Sequence, residues 1–283
     1  MLRCGLGADG KLLALAAASH SGEDFHIAGV REILAQAGLA AGALRCPPAL
    51  PMDERSQQAV LRAGGSAQRV YMNCSGKHAA MLATCVLAGW PTSSYLEPDH
   101  PLQKGIRAAV QDLAGERVTA VGVDGCGAPL FALSLTGVAR ALRAMILAEP
   151  QSAGRKVADA MRAYPDWTSG TARPERALMA AVPGLLLKAG AEGVEGFALA
   201  DGRAVAYKIE DGAARARPSL TVALLRTLGV AAEPGVDSAA LDRIGTVPVV
   251  GGDSAVGEVR ARVPFGRPDL WGACRAFAIA SGV

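Results

Sequence analysis

The stretch Val194-Glu-Gly-Phe-Ala-Leu-Ala-Asp-Gly-Arg-Ala-Val-Ala-Tyr-Lys-Ile209 decides how this chain folds. Two runs, Val194 to Leu199 and Arg203 to Ile209, flank Ala200-Asp201-Gly202, and an Asp-Gly pair between such runs signals a β-hairpin. A helix over Ser219 to Leu228 and a strand around Val256 to Val263 are expected after it. Upstream the pattern is helical. Acids at Glu23 and Asp24 open a first turn, and Ile27, Val30, Ile33 and Leu34 repeat at helical period before Gly38. Further helices are expected over Asp53 to Ala63, Gly76 to Ala88 and Leu102 to Leu113, then about Gly137 to Leu147 and Gly154 to Met161. Val118 to Val123 is β-branched and ends at Asp124-Gly125, which predicts a short buried strand. Strands gathered late, after and between helices, point to α+β rather than alternating βαβ. No repeat or low-complexity linker interrupts the chain, so residues 1–283 read as one domain.

Composition narrows the function classes. Half of the 283 residues are hydrophobic but only 4% are aromatic, so the core is built mainly of Ala, Leu and Val. A formal charge of +3 comes from acids and bases scattered along the chain without a basic stripe, which argues against nucleic acid as a partner. Cys4, Cys46, Cys74, Cys85, Cys126 and Cys274 are dispersed, with no CxxC, as suits a reducing compartment. Leu12 to Ala18, with Ala16-x-Ala18, has some look of a secretory signal, but the run is of minimal length and Asp9 spoils the basic region before it. No run reaches the length of a membrane span. A soluble cytoplasmic protein is the expectation.

Three places carry reactive side chains. Tyr71-Met-Asn-Cys-Ser-Gly-Lys-His-Ala-Ala-Met-Leu82 sets Cys74, Ser75, Lys77 and His78 at a helix start. A thiol-protease pair of Cys74 with His78 fails, because that pairing is assembled from separate segments. Cys74 and Lys77, three apart, share a helix face. With Cys126, which follows Asp124-Gly125, they offer a metal two thiols and an amine, provided the lysine is neutral. Lysine is a rare ligand, so chemistry alone favours the plainer reading of two small buried cysteines and a surface lysine. Ser19-His20-Ser21-Gly22 reads first as a helix cap, and second as a hydroxyl beside backbone N–H groups that face an amide. Lys208, at the end of the second hairpin strand, is a base only if desolvated and paired with a serine. Gly251-Gly-Asp-Ser-Ala-Val-Gly257 lacks the lysine of a phosphate loop and the spacing of a nucleophile elbow, and reads as a turn before the last strand.

Six segments in order, AAASHSGEDFHIAGVREILAQAGL (16–39), MNCSGKHAAML (72–82), GWPTSSYLEPDHPLQKGI (89–106), VGVDGCGAPLFALSL (121–135), KAGAEGVEGFAL (188–199) and YKIEDGAARA (207–216), resemble the asparaginase II family, the zinc-containing Rhizobium-type L-asparaginases. The resemblance implies hydrolysis of L-asparagine to L-aspartate and ammonia. It implies a fold similar to serine β-lactamases and glutaminases: an antiparallel sheet, here about residues 185–283, with a helical part over about 20–180. It implies zinc on Cys74, Lys77 and Cys126, with Asp124 contacting the ligands or the substrate. Ser19 and Lys208 then match a serine–lysine tandem, with His20 and Ser21 beside the substrate, and a homodimer is expected. The family's other tandem, a Ser-x-x-Lys, has no counterpart in these residues, and neither have its N-terminal strands. That departure implies either a start upstream of Met1 or a truncated, catalytically weak zinc-binding relative.

Overall fold

The computed structural model describes residues 1–8, 10–263 and 276–279. Five helices come first: α1 (Gly10–Ala16), α2 (Asp24–Gln36), α3 (Glu54–Arg62), α4 (Ser75–Leu87) and α5 (Pro101–Ala114). A hairpin of β1 (Val121–Val123) and β2 (Pro129–Phe131) leads to α6 (Leu135–Leu147), α7 (Ala153–Ala163), α8 (Pro165–Thr168) and α9 (Pro174–Ala181). Then come β3 (Leu186–Ala189), β4 (Val194–Ala198), β5 (Ala204–Lys208), α10 (Arg217–Thr227) and α11 (Ser238–Gly245). The chain ends with β6 (Val247–Gly251), β7 (Ser254–Val259) and β8 (Ala276–Ile279). Helices with small, mostly antiparallel sheets make this an α+β chain.

The contacts divide the chain into two units. The first comprises Met1–Leu133 and Ala148–Ala172. Its core gathers Leu15 of α1, Val30, Ile33 and Leu34 of α2, Ala79 and Leu82 of α4, and Tyr95. The run Leu12 to Ala18 is α1 and the residue or two beyond it, with Leu13 to Ala16 buried, so its apolar character serves this core. Gly76, in the first turn of α4, allows α1 to pass close by. A Cβ there would sit 2.6 Å from the carbonyl oxygen of Leu15. Asp53 caps α3 by accepting from the Ser56 amide at 2.8 Å, and His100 caps α5 through Leu102.

The strand expected over Val118 to Val123 is shorter and lies outside the core. β1 is exposed along its length, with Val123 76% accessible, and only Val118 before it is buried. The reason is partnership: among the described residues β1 pairs with β2 alone, and no apolar layer of them covers β1.

The second unit comprises Ser134–Leu147 and Arg173 onward. The expected hairpin is there, with Val194 opposite Lys208 and Ala198 opposite Ala204. It extends to a sheet of order β3-β4-β5-β8, antiparallel except for the last pair, where β5 and β8 run parallel. That pair departs from the all-antiparallel expectation. One face of the hairpin puts Phe197, Val205 and Tyr207 against Leu178 of α9 and Val222 and Leu225 of α10. The other face receives α6, where Gly196 leaves room for Leu142. Because both faces are covered, β4 and β5 are buried along most of their length. Gly252 and Asp253 turn between β6 and β7, so the glycine-rich segment is itself largely strand. No helix among the described residues is long and apolar enough to cross a membrane.

Candidate metal centre

Two local structures in the first unit present the donors. Cys74 is the N-cap of α4 and Lys77 lies one turn in, so both project from the same helix end. Asp124 and Cys126 ride on the turn that joins β1 to β2. That turn is fixed by the Asp124 amide donating to the Ala128 carbonyl and the Gly127 amide to the Asp124 carbonyl, at 2.9 and 2.8 Å. Gly127 has φ +87°, a left-handed conformation that suits glycine.

These two elements meet. The donor atoms of Cys74, Asp124 and Cys126 lie within 4.8 Å of one another. Lys77 Nζ is 3.3 Å from Cys126 Sγ and 3.6 Å from Asp124 Oδ2, and Cys126 Sγ is 3.3 Å from that same oxygen. A tetrahedral zinc with bonds of about 2.0–2.3 Å has ligand–ligand edges of about 3.3–3.8 Å. The Lys77, Asp124 and Cys126 separations match those edges, and Cys74, whose sulfur lies within 4.8 Å of the Asp124 and Cys126 donors, completes the donor set that such an ion takes. Lys77 is half-buried among them rather than on the surface.

The electrostatics describe how this cluster stays together. Burial pulls the Lys77 ammonium down, but the negative charge of Cys74, Cys126 and Asp124 outweighs it and holds Lys77 above its usual value. The two thiols share one proton. The hydrogen bond between them pulls Cys126 far below the usual thiol range and pushes Cys74 up, with burial adding to the rise at Cys74. Cys126 is thus the thiolate, stabilised further by His78, Lys77 and the Ala128 amide. Zinc would take both thiolates and the neutral amine, so its ligation must expel protons.

Around the donors sit residues in fixed roles. Ser19 Oγ accepts from Asn73 Nδ2 at 2.9 Å, and the His20 amide donates to the Asn73 carbonyl at 2.9 Å. Ser19 is therefore tied to the residue immediately before Cys74. His20 is wholly buried, and burial, then the charge of His26, lowers its pKa from 6.5 to about 3. Its Nδ1 accepts from the Gly22 amide at 3.1 Å, so Nε2 carries the proton and donates to Ser75 Oγ at 2.9 Å. Ser75 passes its own proton to the Val70 carbonyl at 2.8 Å. His20 and Ser75 thus resemble a base and nucleophile but are wired in the opposite sense, as a structural strut. Ser21 is also turned inward, donating to the Ser169 carbonyl at 3.0 Å. Lys208 ends β5 in the second unit, with Nζ 2.6 Å from the Ile209 carbonyl. Of the residues singled out from the sequence, the first unit gathers Cys74, Lys77, Asp124, Cys126 and Ser19. His20 and Ser21 lie beside this group with their polar atoms engaged.

Sequence reasoning missed Tyr95, Asn73 and the role of His78. His78 was visible within the motif, but its partner Tyr95 is 17 residues away in a loop and carries no local signal. A cavity of about 690 Å³ in this unit is elsewhere, lined by Leu2, Leu6, Leu13, Lys156 and Tyr164. Its walls hold no thiol or serine, whereas the cysteine cluster joins a donor set to a hydroxyl.

The sequence profile of the L-asparaginase II family matches residues 2–261 of this chain. No curated protein matches it.

Proposed function

We propose, from the premise that the chain belongs to the L-asparaginase II family, that it hydrolyses the side-chain amide of L-asparagine to L-aspartate and ammonia. The observation that carries this reading is the convergence of Cys74, Lys77, Asp124 and Cys126 with Ser19 held one residue away through Asn73. Cys74, Lys77 and Cys126, with Asp124 beside them, are the residues that would hold zinc. When bound, such an ion supplies a fixed positive charge that orients and polarises an amide.

The remaining chemistry belongs to the side chains. Ser19 keeps its own proton while accepting from Asn73, so its hydroxyl is oriented without being deprotonated. In the serine–lysine scheme, a serine oxygen bonds to the amide carbon and its proton passes to a neutral lysine, for which Lys208 is proposed. That proton then goes to the departing nitrogen, ammonia leaves, and water resolves the acyl-enzyme to the carboxylate. Buried His20 and Ser75 hold the Ser19–Asn73 connection in register. A serine β-lactamase-like architecture and a homodimer complete the proposal.

Ammonia release from L-asparagine and metal content of the purified protein test it together. About one zinc per chain is expected, lost in Cys126→Ala. Ser19→Ala and Lys208→Met should each lower kcat by at least about a hundred-fold with zinc retained. Full activity in both variants would overturn the serine–lysine roles, and zinc-free active protein would overturn the metal.

A further inference from the structure

A cavity of about 270 Å³ lies wholly in the second unit and serves no step of the proposed reaction. Two helices begin at its wall. Pro174 and Glu175 open α9, Arg217 and Pro218 open α10, and Arg173 and Glu195 of β4 also line the space. A helix N-terminus carries partial positive charge, so both ends favour a negative group placed here.

The charged groups of this cavity are incompletely paired. Glu175 and Glu195 are only 4% and 2% exposed. Arg173 Nη2 donates to Glu175 Oε1 at 3.3 Å, and Arg217 Nη1 stands 3.7 Å from the same oxygen. Two guanidinium groups thus serve one carboxylate oxygen. Glu175 Oε2 and Arg173 Nε are both buried and have no hydrogen-bond partner among the described residues. A native fold seldom leaves a charged acceptor and a charged donor both unmade at one place. Glu195 is better served, its Oε1 accepting from the Tyr207 hydroxyl at 2.8 Å and from Thr221 Oγ1. Burial, and also the charge of Glu175, nevertheless raise the Glu195 pKa against those hydroxyls. A cation beside Glu175 would relieve that repulsion.

An ammonium offers donors to Glu175 Oε2, and a carboxylate offers acceptors to Arg173 Nε. We propose that this cavity binds a small zwitterionic α-amino acid, its ammonium on Glu175 Oε2 and its carboxylate on Arg173 Nε beside the N-terminal ends of α9 and α10. Both contacts are charge-assisted, the stronger class of hydrogen bond. Pro174, Leu178 and Pro218 give an apolar wall for a short aliphatic side chain. The volume lies just below the ~300–1,000 Å³ of sites for larger ligands, as suits a guest of this size. Arg173, with 26% of its side chain exposed, is the movable wall that turns its Nε to the guest. The site uses neither the metal donors nor Ser19 and Lys208, and is independent of the hydrolysis proposed above.

Calorimetric titration of the full-length protein with L-alanine, which carries no side-chain amide to hydrolyse, tests the site. One saturable site per chain is expected. L-Alaninamide lacks the carboxylate and N-acetyl-L-alanine lacks the ammonium, and each should bind at least about ten-fold more weakly. Glu175→Gln, which keeps the shape but removes the charge, and Arg173→Leu should each weaken L-alanine by about ten-fold or more. Chelator-treated protein should bind it as tightly as untreated protein, because no metal donor takes part. If Glu175→Gln fails to fold, Arg173→Leu at its partly exposed position and the two analogues carry the test. The absence of saturable binding up to about 10 mM L-alanine would overturn the proposal. So would equal affinity in the folded variants, equal affinity for the two analogues, or loss of binding on chelation.

Discussion

Lowering the pH from about 7.5 to about 5 probes how the fold holds His20. In the native protein the ring is fully buried, and burial with the nearby His26 charge lowers its pKa from 6.5 to about 3. An unfolded chain binds a proton at this ring below 6.5, whereas the folded one does not until about 3. The unfolded state is thus the better proton binder across that window, so the stability fully present above 6.5 is lost as the pH falls. Each pH unit in the window costs about 1.4 kcal/mol, so His20 alone should remove about 2 kcal/mol by pH 5. That is a sizeable part of the stability of an ordinary domain. Urea unfolding at both pH values, with chelator present to exclude metal release, measures the loss in wild type and in His20→Gln. The variant will be less stable at neutral pH, having disturbed the Ser75 strut, but its further loss on acidification should be smaller by about 2 kcal/mol. Comparing the two losses largely cancels the contributions of other groups, including His26, also lowered by burial, and buried Glu195, which is raised. Parallel losses in the two proteins would refute the claim that the fold keeps His20 neutral.

Three further outcomes follow from the same geometry. Zinc binding near pH ~7.5 should release about two protons, one from Lys77 and one from Cys74, since Cys126 is already the thiolate; calorimetry in buffers of differing ionisation enthalpy counts them, and a value near zero would contradict the assigned charges. Gly76→Ala should lower stability by about 1–3 kcal/mol and weaken metal binding, because its Cβ would meet the Leu15 backbone at 2.6 Å; an unchanged melting temperature would show that α1 and α4 separate freely. In the second unit, Glu195→Ala leaves the buried hydroxyls of Tyr207 and Thr221 without their shared carboxylate acceptor, and should cost about 1–3 kcal/mol in urea unfolding. A loss below about 0.5 kcal/mol would mean that the two hydroxyls satisfy each other.

What local chemistry writes into a chain was legible here without coordinates. Apolar period and caps located α2 to α7 and α10 within a few residues, and Asp201-Gly202 located the β4–β5 hairpin, because these signals act over a handful of neighbours. Family motifs supplied Cys74, Lys77 and Cys126 as a group, although spacing alone favoured two buried cysteines and a surface lysine. Packing decided the rest. Cys126 reaches Lys77 across 49 positions only because a hairpin turn meets the first turn of α4. No periodicity encodes that meeting. Whether a β-branched run is buried depends on what covers it, so Val121 to Val123 are exposed on a two-stranded ribbon while β4 and β5 are enclosed between helices. The apolar run of α1, open as a sequence to a secretory reading, is core because α2 and α4 pack on it. Ser75 shows the same dependence most sharply. In sequence it is one of four reactive side chains in its motif, but in the fold it accepts from His20, 55 residues away, and donates its own hydrogen to the Val70 carbonyl. Residue types set which chemistry was possible, and burial and hydrogen-bond direction, properties of the folded chain alone, set which side chains were free to perform it.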